Sequence, residues 1–344
     1  MTRVIASVAA VALLAGGASN ARAQSIAPAA PHAEMRSEFW REVAEPRYRR
    51  SRTLLRHATA YLRRYDEQRG EGRESAQRRA LLEAAIYRLE LALQITPDDP
   101  EVLHSLANAK MSWVRRSPAG AEERRDDEAA ELFERVRALD PDYESRDVAF
   151  SLGVIHTRAH RFEDAAREYE RSIGQEYVVD TSIEALGNLA EVTMLAGDVA
   201  DAARHYERAV EIARRGHLPP IQANNQFYPA TALPLWGLAI ALDRLGEHRA
   251  ALDRAREAVR ASNGGTELLE SERVFFEPPY ELYWYLALAE EVRAETGTEA
   301  ERRAHLERAA AQWAAFLEQS DGESRWEDTA RRNLEAIRAQ LPRR

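Results

Sequence analysis

Three stretches decide how this chain reads: "LGVIHTRAHRFEDAAREYERSI" at 152–173, "LAEVTMLAGDVADAARHYERAV" at 189–210 and "LAIALDRLGEHRAALDRAREAV" at 238–259. They align without a gap. Each opens on Leu plus a tiny residue: Leu152-Gly153, Leu189-Ala190, Leu238-Ala239. Each then reaches a turn, at "AHRF", "AGDV" and "LGEH". After the turn come Ala165/Tyr169/Ser172, Ala202/Tyr206/Ala209 and Ala251/Ala255/Ala258. Steps of four and three place those residues on one helical face. The tiny residue beside each Leu lets a second helix come close. The unit is therefore a helix, a tight turn and an antiparallel helix. From about residue 46 onward there is no sustained period-2 run and no Asn-Gly or Asp-Gly turn between β-branched segments. Helices and no strand are expected there.

Working outward, "LANAKMSW" at 106–113 repeats the Leu-tiny opening. "AAIYRLELALQITPDDP" supplies Ala85, Leu89, Ala92 and a closing Pro97, and "AAELFERVRALDPDY" supplies Ala129, Phe133, Val136 and Pro141. Proline ends each helix and an acidic residue follows to cap the next. Pro100 suits the first turn of its helix, where a missing N–H costs nothing. A further unit carries Leu286-Ala287, with Ala309, Trp313 and Phe316 on its second helix.

At these residues the chain resembles the tetratricopeptide repeat family, whose unit of about 34 residues carries a W-x2-L-G-x2-Y…A-x3-F…P pattern. The resemblance covers about 46–320 and is densest over 145–260. It implies an all-α fold: a right-handed superhelical solenoid of about six helix-turn-helix repeats, several with insertions. "MRSEFWREVAEP" and "RTLLRHATAYLRRY" read as an N-terminal cap and the first helix of the first unit. "RWEDTARRNLEAIRAQL" at 325–341 reads as a closing helix that covers the last apolar face, as solenoids require. Ala85, Ala129, Ala165, Ala202, Ala251 and Ala309 are separated by 44, 36, 37, 49 and 58 residues, by subtraction. The excess sits in 66–77, 115–127, 217–234 and 297–304, as longer helices or loops.

The domain organisation follows. Residues 1–23 read as a cleavable signal peptide: a basic start at Arg3, the apolar run "VIASVAAVALLAGGA", then "ARA" at the cleavage position. Residues 24–34 read as a flexible leader, and 35–344 as the repeat domain with capping helices. Export to the periplasm or beyond is the expectation. The formal charge of −9 becomes −11 once Arg3 and Arg22 are removed. Basic residues stand in ones and twos near Glu or Asp throughout, which argues against nucleic-acid binding; nearly all are arginine, with Lys110 the only lysine. No other run approaches the ~20 apolar residues of a spanning helix. There is no cysteine, hence no disulfide and no lipid on an N-terminal Cys.

Chemistry is hard to place on this sequence. His156 and His160 have helical metal spacing, but "HTRAH" lacks the intervening Glu of a metalloprotease helix. There is no nucleophile elbow, phosphate loop or dinucleotide fingerprint. An enzyme is not expected, nor a cofactor. The resemblance instead implies a concave groove lined by the first helix of each unit, binding a partner peptide or helix. Positions two before each Leu are His104, Phe150, Gly187, Trp236 and Trp284. Positions two after are Asn108, Val154, Glu191, Ile240 and Leu288. The C-terminal half of that groove reads as apolar and aromatic, with Asp243, Glu281 and Glu291 on its rim. The carboxylate clamp of some family members does not carry over, because its cationic partners are missing. Two readings stand: a non-catalytic protein-interaction adaptor of the cell envelope, or glycan and small-ligand binding by the aromatic end. The 217–234 insertion either plugs the groove or forms part of it.

Overall fold

A computed structural model describes residues 40–68, 76–116, 122–174, 182–216, 218–271 and 274–341. The expected signal peptide 1–23 and leader 24–34 lie outside the described residues. The fold is all-α, apart from two short β-ribbons. The chain divides between Val148 and Ala149 into two compact units.

Up to Val148, two helical hairpins form: α1 (Pro46–Glu67) with α2 (Ala76–Ile95), and α3 (Pro100–Met111) with α4 (Asp126–Leu139). Local sequence sets their ends. Pro46 and Pro100 start α1 and α3, and the Asp99 carboxylate caps α3 by accepting from the Glu101 and Val102 N–H groups. Ala85, Leu89 and Ala92 of α2 are buried, as are Ala129, Phe133 and Val136 of α4. Lys110 is buried as well, with its ammonium shared between Glu90 (3.0 Å) and Glu128 (2.5 Å). It ties α3 to the helices on either side of it in sequence.

The boundary falls inside α5 (Ser145–Arg158), which pairs with α6 (Phe162–Ile173). Then come the hairpins α7 (Ser182–Ala196) with α8 (Val199–Arg215), α9 (Ala232–Arg244) with α10 (His248–Ala261), and α11 (Glu281–Ala294) with α12 (Glu299–Ser320). The closing helix α13 (Glu327–Gln340) lies on α12, with Ala330, Leu334 and Ile337 buried. The three stretches quoted first share one turn. His160, Gly197 and Gly246 occupy the same repeat position and all have positive φ, at 56°, 110° and 84°. The next N–H reaches back five residues each time, Arg161 to His156, Asp198 to Thr193 and Glu247 to Leu242. That is a Schellman-type closure, which needs a left-handed residue after the helix.

Close helix approach is confirmed at Gly153, where an added Cβ would sit 2.7 Å from the Tyr169 ring. The helices approach closer still at Gly237, one residue before the Leu-Ala pair, where a Cβ would sit 2.1 Å from the Tyr206 ring. Gly187, on α7, has nothing within 4 Å of its Cβ position. Gly187 and Gly237 should therefore respond oppositely to alanine. Gly187→Ala is expected to stabilise by about 0.5–1 kcal/mol through helix propensity. Gly237→Ala is expected to lose about 1–3 kcal/mol by overpacking. Urea denaturation measures both, and equal signs would contradict the packing.

The insertions resolve into specific devices. Residues 297–304 lengthen α12, whose N-cap Thr298 and Glu301 form a capping box. The expectation of no strands is corrected in two places. β1 (Val114–Arg116) pairs antiparallel with β2 (Glu122–Arg124), and β3 (Ile221–Ala223) with β4 (Gln226–Tyr228). In the second ribbon Asn224 and Asn225 take φ of 49° and 59°, the two left-handed positions that a tight hairpin turn requires. Asn tolerates that region as Gly does, so "ANNQ" turns without an Asn-Gly pair. Tyr228 of β4 is buried with Ala223, Ala232 and Leu268. The ribbon thus packs on the start of α9 and the 262–271 loop, and Asn224 donates to the Glu267 carbonyl at 3.0 Å.

Candidate functional site

The leading helices of the second unit are α5, α7, α9 and α11, and their face is where the sequence places a groove. Trp236 and Trp284 are fully buried, at 0% exposure, and Ile240, Leu288 and Val154 are buried too. An open aromatic column is therefore not present. The reason is packing: the Trp284 ring meets Trp313 and Phe316 edge-on at 4.9 and 5.0 Å, and Trp236 lies 6.5 Å from Tyr285. Their indole N–H groups are used as well, Trp284 on Asp243 (2.8 Å) and Trp236 on Ser262 (3.1 Å). Neither ring has a face free for a sugar to stack on. Phe150 is half-buried against Tyr169, and Gly187 borders open space. In the first unit, half-buried His104 stands 2.6 Å from Asp147 and 3.2 Å from the Asn108 amide, between the edges of Phe133 and Tyr143.

The acidic residues expected on the rim are buried instead: Asp243, Glu281 and Glu291. A buried carboxylate needs a partner, and each has one. Glu281 pairs with Arg244, whose side chain is also fully buried and lies 4.7 Å from the Trp284 ring centroid and 5.3 Å from that of Trp326. Burial pushes the Glu281 carboxyl above its ordinary range, while Arg244 opposes that rise and Glu191 adds to it. Glu191, half-buried on α7, accepts from the hydroxyls of Tyr206 (2.6 Å) and Tyr285 (3.2 Å). Burial and the Glu191 charge together drive both phenols well above the usual tyrosine value.

Asp243 and Glu291 grip one imidazole between them. His248 Nδ1 is 2.6 Å from Asp243, and Nε2 is 3.1 Å from Glu291. Asp243 also accepts from Asn333 at 2.9 Å, and Glu291 from the Trp313 indole at 2.8 Å. These hydrogen bonds, Asp243's first, raise His248 to about 10 against partial burial. The proton is thus held more tightly in the folded than in the unfolded state, where the ordinary value is 6.5. The stabilisation is complete below pH about 6.5 and is lost as pH rises towards 10. Between pH 6.5 and 10 the melting temperature should fall, and His248→Gln should flatten that fall. Parallel curves for the two proteins would contradict the assignment.

What covers the leading helices is the chain's own segment 274–280, "VFFEPPY". Phe275 packs against the cluster built by Val154, Tyr169, Leu189 and their neighbours, with the Arg158 guanidinium 6.0 Å from its ring centroid. Phe276 is buried edge-on against Tyr285 at 4.9 Å. The Glu277 carboxylate reaches His160, 117 residues away in sequence, at 2.8 Å. The segment therefore spans from α11 back to the turn after α5. The 217–234 insertion, expected as a plug or a wall, packs on helix ends as described above. Among the described residues no group of three His, Asp or Glu is arranged to hold an ion, and His160 instead meets Glu277.

Sequence reading missed Arg244, His248 and the long-range contacts of the strap 274–280. One signal was available. Asp243 and Glu291 lie five residues after the Leu of their repeat, where earlier units have Met111, Thr157 and Met194. An acid at a position that is otherwise apolar or hydroxylic marks a buried charge seeking a partner.

Two family profiles match parts of the chain. The profile described as tetratricopeptide repeat matches residues 181–263, and that of the plant-specific mitochondrial import receptor subunit TOM20 matches 41–182. No curated protein matches the chain. Among solved structures, PilF of Pseudomonas aeruginosa is 14% identical, with 86% of this chain and 100% of that one covered and a TM-score of 0.48. MamA of strain AMB-1 is 17% identical, covering 65% of this chain and 96% of that one, with a TM-score of 0.44. MamA from Desulfovibrio magneticus RS-1 is 14% identical, covering 60% and 96%, with a TM-score of 0.43.

Proposed function

We propose that this chain, a tetratricopeptide-repeat protein, is a non-catalytic adaptor of the cell envelope that holds a partner protein on its leading helices. Stacked helical hairpins offer extended surfaces rather than reaction centres. The observation that carries the reading is the seat on the second unit: the leading-helix face accepts a non-helical segment, here one of its own. Export is supported by the basic start, apolar run and cleavage pattern of residues 1–23.

Two measurements test this. Crosslinking capture with the mature chain is expected to recover the same partner repeatedly. Gly187→Trp, which projects a ring from α7 into open space, should lose that partner without loss of helicity. An unchanged set of captured proteins would remove the leading-helix face from the function. Fractionation with N-terminal sequencing should find a chain starting near Gln24 outside the cytoplasm. An intact Met1 chain in the cytoplasm would end the envelope assignment.

A further inference from the structure

The strap 274–280 meets its seat with an aromatic pair, Phe275 and Phe276, and then the Glu277 carboxylate. Its connection is long. α10 ends at Ala261 and α11 begins at Glu281. Connections above about 12–15 residues are uncommon in compact domains and are often functional. Its hold is partly exposed, since the His160 and Glu277 side chains that meet at 2.8 Å are 53% and 20% exposed. Phe275 is only half-buried, whereas Phe276 is buried. The seat itself is built from ordered elements: the Arg158 end of α5, the turn carrying His160, and Tyr285 of α11 fixed by its hydroxyl on Glu191.

We infer that this seat is a recognition site for a partner segment with the strap's chemistry, two adjacent aromatic residues followed by a carboxylate and proline, and that residues 274–280 are its built-in competitor. The polar groups match: the His160 imidazole meets the Glu277 carboxylate at 2.8 Å, and the cationic Arg158 lies over the Phe275 ring. The aromatic pair supplies the apolar area, and the prolines after the acid restrict the backbone and lower its ordering cost. A tethered strap acts at high effective concentration. A partner segment then meets an affinity reduced by the fraction of time the seat is open. The inference rests on the adaptor reading and gives the partner's chemistry.

The probe is a fluorescent peptide, VFFEPPYE, the sequence of residues 274–281, read by anisotropy against the full mature chain. The release variant is Phe275→Ala/Glu277→Arg, which spares buried Phe276. If that pair fails to fold by circular dichroism, Phe275→Ala alone replaces it. The folded release variant should bind the peptide roughly tenfold or more tightly than the unsubstituted chain. The peptide VFFRPPYE should bind it roughly tenfold more weakly than VFFEPPYE, a difference of about 1.4 kcal/mol. No binding by the folded release variant overturns the inference, as does equal affinity for the two peptides. So does an unsubstituted chain that binds as tightly as the released one. Peptide binding without any captured partner keeps the seat and removes the adaptor. A captured partner without peptide binding does the reverse.

Discussion

Arg244→Ala is expected to lower the unfolding free energy by about 3–5 kcal/mol, the cost of leaving one member of a buried ion pair alone. Both side chains are almost wholly out of water. Without the guanidinium, Glu281 keeps its burial and its neighbour Glu191, the two influences that push its carboxyl up. The variant must then bury an unpaired charge or take up a proton. Its folded-state Glu281 would titrate above the unfolded value. Its deficit relative to the parent should therefore shrink as the pH is lowered through that range.

The aromatic contacts of Arg244 add to the loss. The guanidinium sits near the faces of Trp284 and Trp326, a cation–π arrangement that strengthens when desolvated. The Nε and Nη1 groups of Arg244 have no hydrogen-bond partner among the described residues. The pair is thus incompletely satisfied. Replacing both partners with apolar residues, Arg244→Met/Glu281→Met, should be much milder than the single change. Urea titration followed by tryptophan fluorescence reads all three proteins. A single-variant loss below about 1 kcal/mol, or a double variant as unstable as the sum, would show that the charge pair is not the source.

Trp284→Ala is the second large effect, at about 3–5 kcal/mol for an aromatic truncated in a packed core. The ring joins α11 to α12 through Trp313 and Phe316, and its N–H ties α11 to Asp243 of α9. Trp284→Phe separates the two roles. It keeps most of the apolar area and removes one donor from a buried carboxylate, which costs about 1–3 kcal/mol when that group goes unsatisfied. Asn333 and His248 still serve Asp243, so the loss should fall at the low end. If Trp284→Ala instead left stability unchanged while abolishing binding of a ligand, the ring would belong to an open surface and the packing described above would be wrong.

The same position shows how far the sequence could be read. Counting two residues back from Leu238 and Leu286 puts Trp236 and Trp284 at one position of the repeat. It does not say what lies against that column. The acids were found by register too. Asp243 and Glu291 were assigned to the wet edge because acids usually lie there, and only their partners on other helices allow them to be buried. His248 reaches both carboxylates from the start of α10, a convergence that no single helix face displays.

By itself the sequence determined what depends on neighbours a few residues apart. The hairpin unit comes from steps of three and four, the helix start from Pro100, and the shared turn from the segments that carry His160, Gly197 and Gly246. These are local because helix hydrogen bonds and caps close within a turn. The tertiary structure alone decided which faces stay open. Glu277 meets His160 across 117 residues, and Phe275 enters a core built mostly by α5, α6 and α7. Periodicity says which residues share a face. What covers that face depends on long-range packing, and here it is a segment of the same chain.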